Sequence, residues 1–102
     1  MISKFLEKRV EVEMGEDPQQ NRNAMELEYY LLEIETDAGE QELKKAYGIE
    51  ILKKQQGIHE EKKKYQDVFC SRERTKNLVE QLAENTVTPV TLPYILDDIL
   101  GI

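Results

Sequence analysis

The chain has 102 residues and a formal net charge of -7, from 14 basic and 21 acidic residues. This length suits a single domain over residues 1–102 with its own apolar core. The acidic balance argues against a surface that neutralises nucleic-acid phosphates. No apolar run approaches the roughly 20 residues of a membrane span, and none near the N-terminus is long enough for a signal peptide. A soluble, cytoplasmic domain is therefore expected.

The first predicted element is a strand in the segment "FLEKRVEVEM". Leu6, Val10 and Val12 share one parity of the alternation, and charged residues occupy the other, which is typical of a half-buried strand. A short helix through the first apolar residues, ahead of the strand, is the alternative. Residues 15–24 then contain glycine, proline and asparagine but no large apolar side chain, which predicts a mobile loop.

The second predicted strand, "MELEYYLLEIETD", carries apolar residues of both parities. Leu27, Tyr29 and Leu31 lie on one face, whereas Leu32 and Ile34 fall on the other. Two explanations remain open. Either the middle of the strand is buried on both faces, or a bulge between residues 30 and 32 resets its register.

Two further strands are predicted, "LKKAYGIEILKK" and "KKYQDVFCS". In the third strand Tyr47, Ile49 and Ile51 share a face, while Gly48 interrupts the opposite one. A glycine at such a position indicates a bulge or a closely approaching neighbour. The turn between the third and fourth strands is expected around Gly57.

The periodicity then changes from two to that of a helix. Leu78, Val79 and Leu82 form a narrow apolar stripe in "SRERTKNLVEQLAEN", which predicts a surface helix with one buried edge. Ser71 is the expected N-cap. Asn85 is the expected left-handed residue at the C-terminus.

A second helix is predicted over residues 91–100. Thr91 is its expected cap, and Pro93 fits its first turn, where the missing N–H costs nothing. Its apolar residues recur at i, i+3, i+4, i+7 and i+8: Leu92, Ile95, Leu96, Ile99 and Leu100. This stripe favours a role in the core over a role as a docking segment. Deletion after Val90 is accordingly expected to unfold the protein.

Strands that run in sequence and are followed by helices predict an α+β fold. The expected architecture is an antiparallel meander of about four strands with two C-terminal helices packed on one face. No internal repeat or low-complexity tract interrupts this order.

Residues capable of catalysis are few. His59 falls in a predicted turn, and Cys70 ends the fourth strand just before a helix; a nucleophile also needs a nearby base and an orienting group, and nothing places these two together. Asp97 and Asp98 are adjacent on a helix and point about 100° apart, so they do not converge on a metal. We therefore expect no enzyme activity, no metal and no cofactor, with a small-ligand module or enzyme using Cys70 or His59 as an alternative.

The interaction surface suggested by the sequence is aromatic. Its candidate residues are Tyr29, Tyr30, Tyr47, Tyr65 and Tyr94. Together with Lys62, Lys63 and Lys64 they allow a nucleic-acid-associated regulator as a second alternative, although basic residues are not interleaved with the tyrosines as stacking platforms require. The favoured function is that of a small acidic domain that binds another protein, or itself, through exposed sheet edges.

The stretches "YYLLEIETDAGEQELKKAYGIEILKK" and "NTVTPVTLPYILDDIL" resemble a family of small clostridial proteins of unknown function. The resemblance covers the chain from about Met25 onward. It implies a bacterial cytoplasmic protein. The shared motifs are structural, so the resemblance assigns no activity and no functional residue.

Overall fold

The computed structural model describes residues 2–13, 24–37, 43–55 and 59–100 of the chain. Its elements are the strands β1 (Ile2–Glu13), β2 (Ala24–Asp37), β3 (Leu43–Gln55) and β4 (His59–Phe69), followed by the helices α1 (Arg72–Glu84) and α2 (Leu92–Leu100). Each strand pairs antiparallel with the next, in the sheet order β1-β2-β3-β4. The predicted α+β meander with two C-terminal helices on one face is confirmed.

The element boundaries correct several details. The N-terminal segment is a strand from Ile2 onward, so the alternative of a preceding helix is wrong. The loop predicted over residues 15–24 lies outside the described residues, apart from Ala24, where β2 begins. The prediction of a turn at His59 is also wrong, because this residue begins β4 and pairs with Gln55.

The core lies between the sheet and the helices. On the helix-bearing face of the sheet, Tyr29 of β2 lies opposite Ile51 of β3, and Leu31 lies opposite Ile49. The buried residues of the main core are Met25, Leu27, Tyr29, Ile49, Ile51, Leu78, Val79, Leu82, Ala83, Val87, Leu92 and Leu96. Both helices therefore close the same apolar face.

A bulge in β1 changes which of its side chains face the helices. The register shifts between Leu6, opposite Tyr30, and Lys8, opposite Tyr29. Val10 packs against the core as predicted. Leu6 shares the parity of Val10 in the sequence, but the extra residue moves it to the opposite face, so the prediction that the two share a face is wrong.

The middle of β2 is buried on both faces. Its pairing with β3 continues without a shift from Met25 to Asp37, and both Leu31 and Leu32 are buried. The first of the two explanations for its mixed pattern is therefore the right one.

Gly48 of β3 allows a very close approach of β4. A Cβ atom at this position would lie 2.1 Å from the carbonyl oxygen of Tyr65 and 2.8 Å from the Cα of Gln66. The register shifts here as well, because Tyr47 pairs with Phe69 and Ile49 with Tyr65. Three residues of β4 therefore stand opposite the single residue Gly48. Both features expected of this glycine, a bulge and a close neighbour, are present.

The ends of α1 are fixed by specific hydrogen bonds. The Ser71 Oγ accepts a hydrogen bond from the N–H of Arg74 at 3.3 Å, as expected of an N-cap. At the C-terminus the left-handed residue is Thr86, with φ 52°, whereas Asn85 has φ -94°, which corrects the prediction for Asn85. The N–H of Val87 reaches the carbonyl of Leu82 at 3.0 Å and completes a Schellman-type end.

Candidate functional site

The five candidate tyrosines do not form one surface. Tyr29 and Tyr47 are buried, while Tyr94 is 73% exposed. Tyr30 lies on the sheet face opposite the helices, because neighbouring residues of a strand point to opposite sides. The structure brings only Tyr65 and Tyr94 together, in a groove between β4 and α2.

Tyr29 supports the fold. Its hydroxyl donates a hydrogen bond of 2.8 Å to the backbone carbonyl of Val87, in the segment that joins the two helices. Burial raises the pKa of Tyr29 to about 12, since the phenolate would lose its hydration. This tyrosine therefore holds the connection between α1 and α2 against the sheet.

Tyr30 belongs to a group of charged side chains on the opposite face. Its hydroxyl donates a hydrogen bond of 2.7 Å to Oε1 of Glu28, and the Lys4 Nζ lies 4.1 Å from its ring centroid. Burial raises the pKa of Tyr30 to about 12, with the hydrogen bond to Glu28 as the next cause. Lys4 also pairs with the buried carboxylate of Glu50.

The buried carboxylates of this face have cationic partners. The Lys54 Nζ lies 3.6 Å from Oε1 of Glu28, and the Arg9 Nε lies 4.0 Å from its Oε2. Arg9 also pairs with Glu26, whose hydrogen bond and charge raise the pKa of this arginine. A buried charge is tolerated when it is paired in this way, so the network has a sufficient structural explanation.

One feature that the core does not explain is the groove between β4 and α2, here called the β4–α2 groove. Its volume is about 390 Å³. It is lined by Tyr65, Asp67, Val68, Pro93, Tyr94, Leu96, Asp97 and Leu100. Asp67 and Val68 belong to the bulge of β4 beside Gly48, so the bulge and the groove occupy the same part of that strand.

The chemistry of the β4–α2 groove is apolar with acidic groups. Val68, Leu96 and Leu100 supply aliphatic surface, and two aspartates add negative charge. None of the described residues that line it is basic. An apolar site with a few convergent polar groups is the usual form of a binding site.

A second depression lies on the other side of α2. It has a volume of about 320 Å³ and lies between Phe69, residues of α1, and Ile99 near the end of α2. The guanidinium of Arg74 stacks 4.4 Å from the ring centroid of Phe69. Between the two depressions, Leu92 and Leu96 of α2 belong to the core, and Ile95 and Leu100 pack against it.

The remaining candidates do not converge. Cys70 is exposed and follows the end of β4, whereas His59 begins that strand. At about 3.3 Å per residue, the strand between them spans up to about 36 Å, which puts the two residues far beyond hydrogen-bond reach. Within the described ranges no three metal-ligating side chains gather, although Asp97 contributes to the groove.

The three lysines do not form one basic patch. Lys62, Lys63 and Lys64 lie opposite Leu52, Ile51 and Glu50 of β3, so they alternate between the two faces of the sheet. All are exposed at an edge strand. Edge lysines of this kind discourage unwanted strand pairing.

The sequence alone did not reveal the β4–α2 groove. Its residues come from a bulged strand and from a helix some 30 residues further on, and their meeting depends on how α2 lies on β4. The adjacent pair of tyrosines at positions 29 and 30 did carry a usable signal, because a strand must send such neighbours to opposite faces.

Comparisons with known proteins give a family and no function. A model described as a family of unknown function (DUF6514) matches residues 8–101, so the chain belongs to this family. No curated protein and no solved structure matches it. Neither helix in the described ranges is long and apolar enough to cross a membrane.

Proposed function

We propose that this member of DUF6514 is a non-enzymatic domain of the bacterial, in particular clostridial, cytoplasm that binds another protein through the β4–α2 groove. The single observation that carries the proposal is the position of Tyr94. It projects from α2 at 73% exposure beside a groove with aliphatic lining. Exposed tyrosines next to apolar depressions are frequent anchors of protein interfaces.

The charge of the groove indicates the chemistry of the partner. Asp67 and Asp97 line it, and the whole chain carries -7. A segment that combines an apolar anchor with lysine or arginine would satisfy both the aliphatic lining and the acidic groups. A second copy of this chain offers the same acidic surface and is the weaker candidate for this groove.

The placement of the reactive residues supports a binding role over catalysis. Cys70 and His59 stand at opposite ends of β4, and catalysis by such a pair requires hydrogen-bond reach between nucleophile and base. The alternating lysines of β4 likewise favour a protein partner over a nucleic acid, because phosphate binding depends on clustered positive charge.

Selection of random peptides on the 102-residue chain tests the proposal. We expect the enriched peptides to pair an aromatic or aliphatic residue with lysine or arginine. Tyr94→Ala should weaken their binding at least about tenfold, since hot-spot tyrosines cost 2 kcal/mol or more when truncated. Fluorescence anisotropy of a labelled peptide measures the loss.

Val90→Ala is the matched control, because Val90 is also exposed in the α2 region but does not line the groove. This variant should bind like the wild type. Asp97→Asn should lower affinity more at low salt than at high salt, as screening predicts. Peptides that bind the Tyr94→Ala protein as tightly as the wild type would overturn the proposal.

A further inference from the structure

A second exposed apolar surface lies at the far edge of the sheet from the β4–α2 groove. In β1, Ile2 is 47% exposed, Phe5 39% and Leu6 52%. These are half of the large apolar side chains that are exposed among the described residues; the others are in or near α2. Ile2 and Leu6 lie on the face away from the helices, opposite Ile34 and Tyr30, whereas Phe5 lies on the helix-bearing face, opposite Leu31. The edge strand is therefore apolar on both faces.

The backbone of this segment has a free side. Among the described strands, β1 pairs only with β2 and forms an edge of the sheet. The outward N–H and C=O groups of an edge strand can pair with a strand of another chain. Apolar side chains and free backbone groups therefore coincide at residues 2–6.

We propose that residues 2–6 pair antiparallel with the same residues of a second copy, about a twofold axis normal to the sheet. This axis keeps the two faces of the joined sheet continuous, so residues of equal parity must lie opposite each other. The register that uses the whole segment places Ile2 opposite Leu6 of the second copy. It also places Ser3 opposite Phe5.

In this register Lys4 lies on the twofold axis, directly opposite Lys4 of the second copy. Its ammonium group is drawn away from the edge, because it lies over the ring of Tyr30 at 4.1 Å and pairs with the carboxylate of Glu50 on β3. The aliphatic stem remains at the edge and can pack across the axis. Like charges directly opposite each other on neighbouring strands are usually destabilising. The ion pair between Lys4 and Glu50 reduces that effect here.

The bulge of β1 limits the contact. The register with β2 shifts between Leu6 and Lys8. After this bulge, the face of β1 that points away from the helices carries charged residues such as Arg9 and Glu11. Pairing through the same edge in both copies gives a closed dimer and leaves no second β1 edge for further growth. An interface of five residues per chain is small, so we expect a weak dimer.

The dimer would place its two β4–α2 grooves at the outer ends of one eight-stranded sheet. A partner with two binding segments could then engage both grooves at once and gain from effective concentration. The self-association itself does not depend on the proposed function of the groove.

Sedimentation equilibrium of the full chain over about 5–500 μM tests the proposal in the range expected for a small interface. The mass should rise from 11.9 kDa toward twice that value. The double substitution Ile2→Glu and Leu6→Glu should raise the dissociation constant at least about tenfold, because it opposes like charges in each cross-strand pair. The control Val90→Glu and Ile99→Glu adds the same charge at two exposed sites outside β1.

Variants of opposite charge at the same two positions provide a second test of the dimer. A second double variant, Ile2→Lys and Leu6→Lys, should also be monomeric, and its mixture with the glutamate variant should restore a heterodimer. A wild-type protein that stays monomeric at the highest concentration overturns the proposal. So does a dimer that survives the β1 variants but is lost in the control pair.

Discussion

The two helices distribute their apolar residues in opposite ways. α1 has 13 residues, most of them polar, and all four of its aliphatic residues are buried: Leu78, Val79, Leu82 and Ala83. α2 has nine residues and is far more apolar, yet only Leu92 and Leu96 are buried. The first helix buries all of its aliphatic residues, whereas the second buries two leucines, packs Ile95 and Leu100 partly against the core and leaves Tyr94 and Ile99 exposed.

On α2, the residues that attach the helix to the core are distinct from those that remain exposed. Two buried leucines anchor α2 to the core, and Tyr94 and Ile99 remain exposed. Exposed apolar surface on a small acidic domain carries a cost in solubility, so the exposed Tyr94 beside the β4–α2 groove supports the proposed binding role. The prediction that α2 contributes to the core is confirmed by Leu92 and Leu96, and its role as a docking segment stays a proposal.

Deletion after Val90 should have the largest effect on stability. It removes Leu92 and Leu96, and each fully buried leucine contributes roughly 1.5–3 kcal/mol to a net stability of about 5–15 kcal/mol. We expect an unfolded chain by circular dichroism and no cooperative thermal transition. A truncated protein that melts cooperatively would show that the core does not need α2, which would then contribute only exposed surface.

A matched pair of leucines compares the two anchors directly. Leu82 of α1 and Leu96 of α2 are both 2% exposed, but Leu96 lines the β4–α2 groove and Leu82 does not line either depression. Leu82→Ala should cost about 3–5 kcal/mol, and Leu96→Ala about 2–3 kcal/mol, because neighbours can relax into the groove. Urea denaturation measures both, and an equal or larger loss at Leu96 would contradict the comparison.

The sequence predicted most of the fold because the main elements follow simple periodicities. Alternation identified β2 and β3, and helical spacing identified both helices. The failures occur where one residue departs from the period. The inserted residue in β1 moved Leu6 to the other face, and the left-handed position fell on Thr86 rather than Asn85.

The candidate site was less predictable than the fold. Tyr65 and Tyr94 were in the predicted aromatic set, but the acidic and aliphatic lining of their groove depends on the contact between β4 and α2. Which side of α2 faces the core likewise depends on tertiary packing and not on the local sequence. Periodicity shows that a stripe exists without showing which of its residues the rest of the chain covers.

Tyr29→Phe should loosen α2 more than α1. It removes the hydrogen bond to the carbonyl of Val87, in the segment between the helices, and leaves a buried acceptor at a cost of about 1–2 kcal/mol. Hydrogen exchange should accelerate in α2 before it does in α1. Tyr94→Phe is the control, because its exposed hydroxyl should change stability by less than about 0.5 kcal/mol.

Tyr29→Phe should also change how the stability of the protein depends on pH. Burial raises the pKa of Tyr29 to about 12 from an ordinary value of 10.0. The unfolded chain therefore releases this proton first, and stability present below pH 10 is lost as pH rises toward about 12. Urea midpoints at about pH 9 and pH 11 should fall less in Tyr29→Phe than in the wild type, and identical slopes would contradict the assignment.

Thr86→Gly should give the smallest change, and it should be favourable. Thr86 follows the C-cap Asn85 of α1 and has φ 52°, a conformation that is strained for a β-branched residue and free of strain for glycine. Relief of that strain outweighs the greater entropy of glycine in the unfolded chain, so we expect a gain of about 0.5–1 kcal/mol.

Asn85→Gly is the matched control for Thr86→Gly, because Asn85 has φ -94° and gains nothing from the change. It should be neutral or destabilising in the same urea titration. If Thr86→Gly also leaves the exchange rates of α2 unaltered, the C-terminal turn of α1 limits the stability of α1 without controlling how α2 is held. Faster exchange in α2 would mean instead that the bend at Thr86 positions both helices.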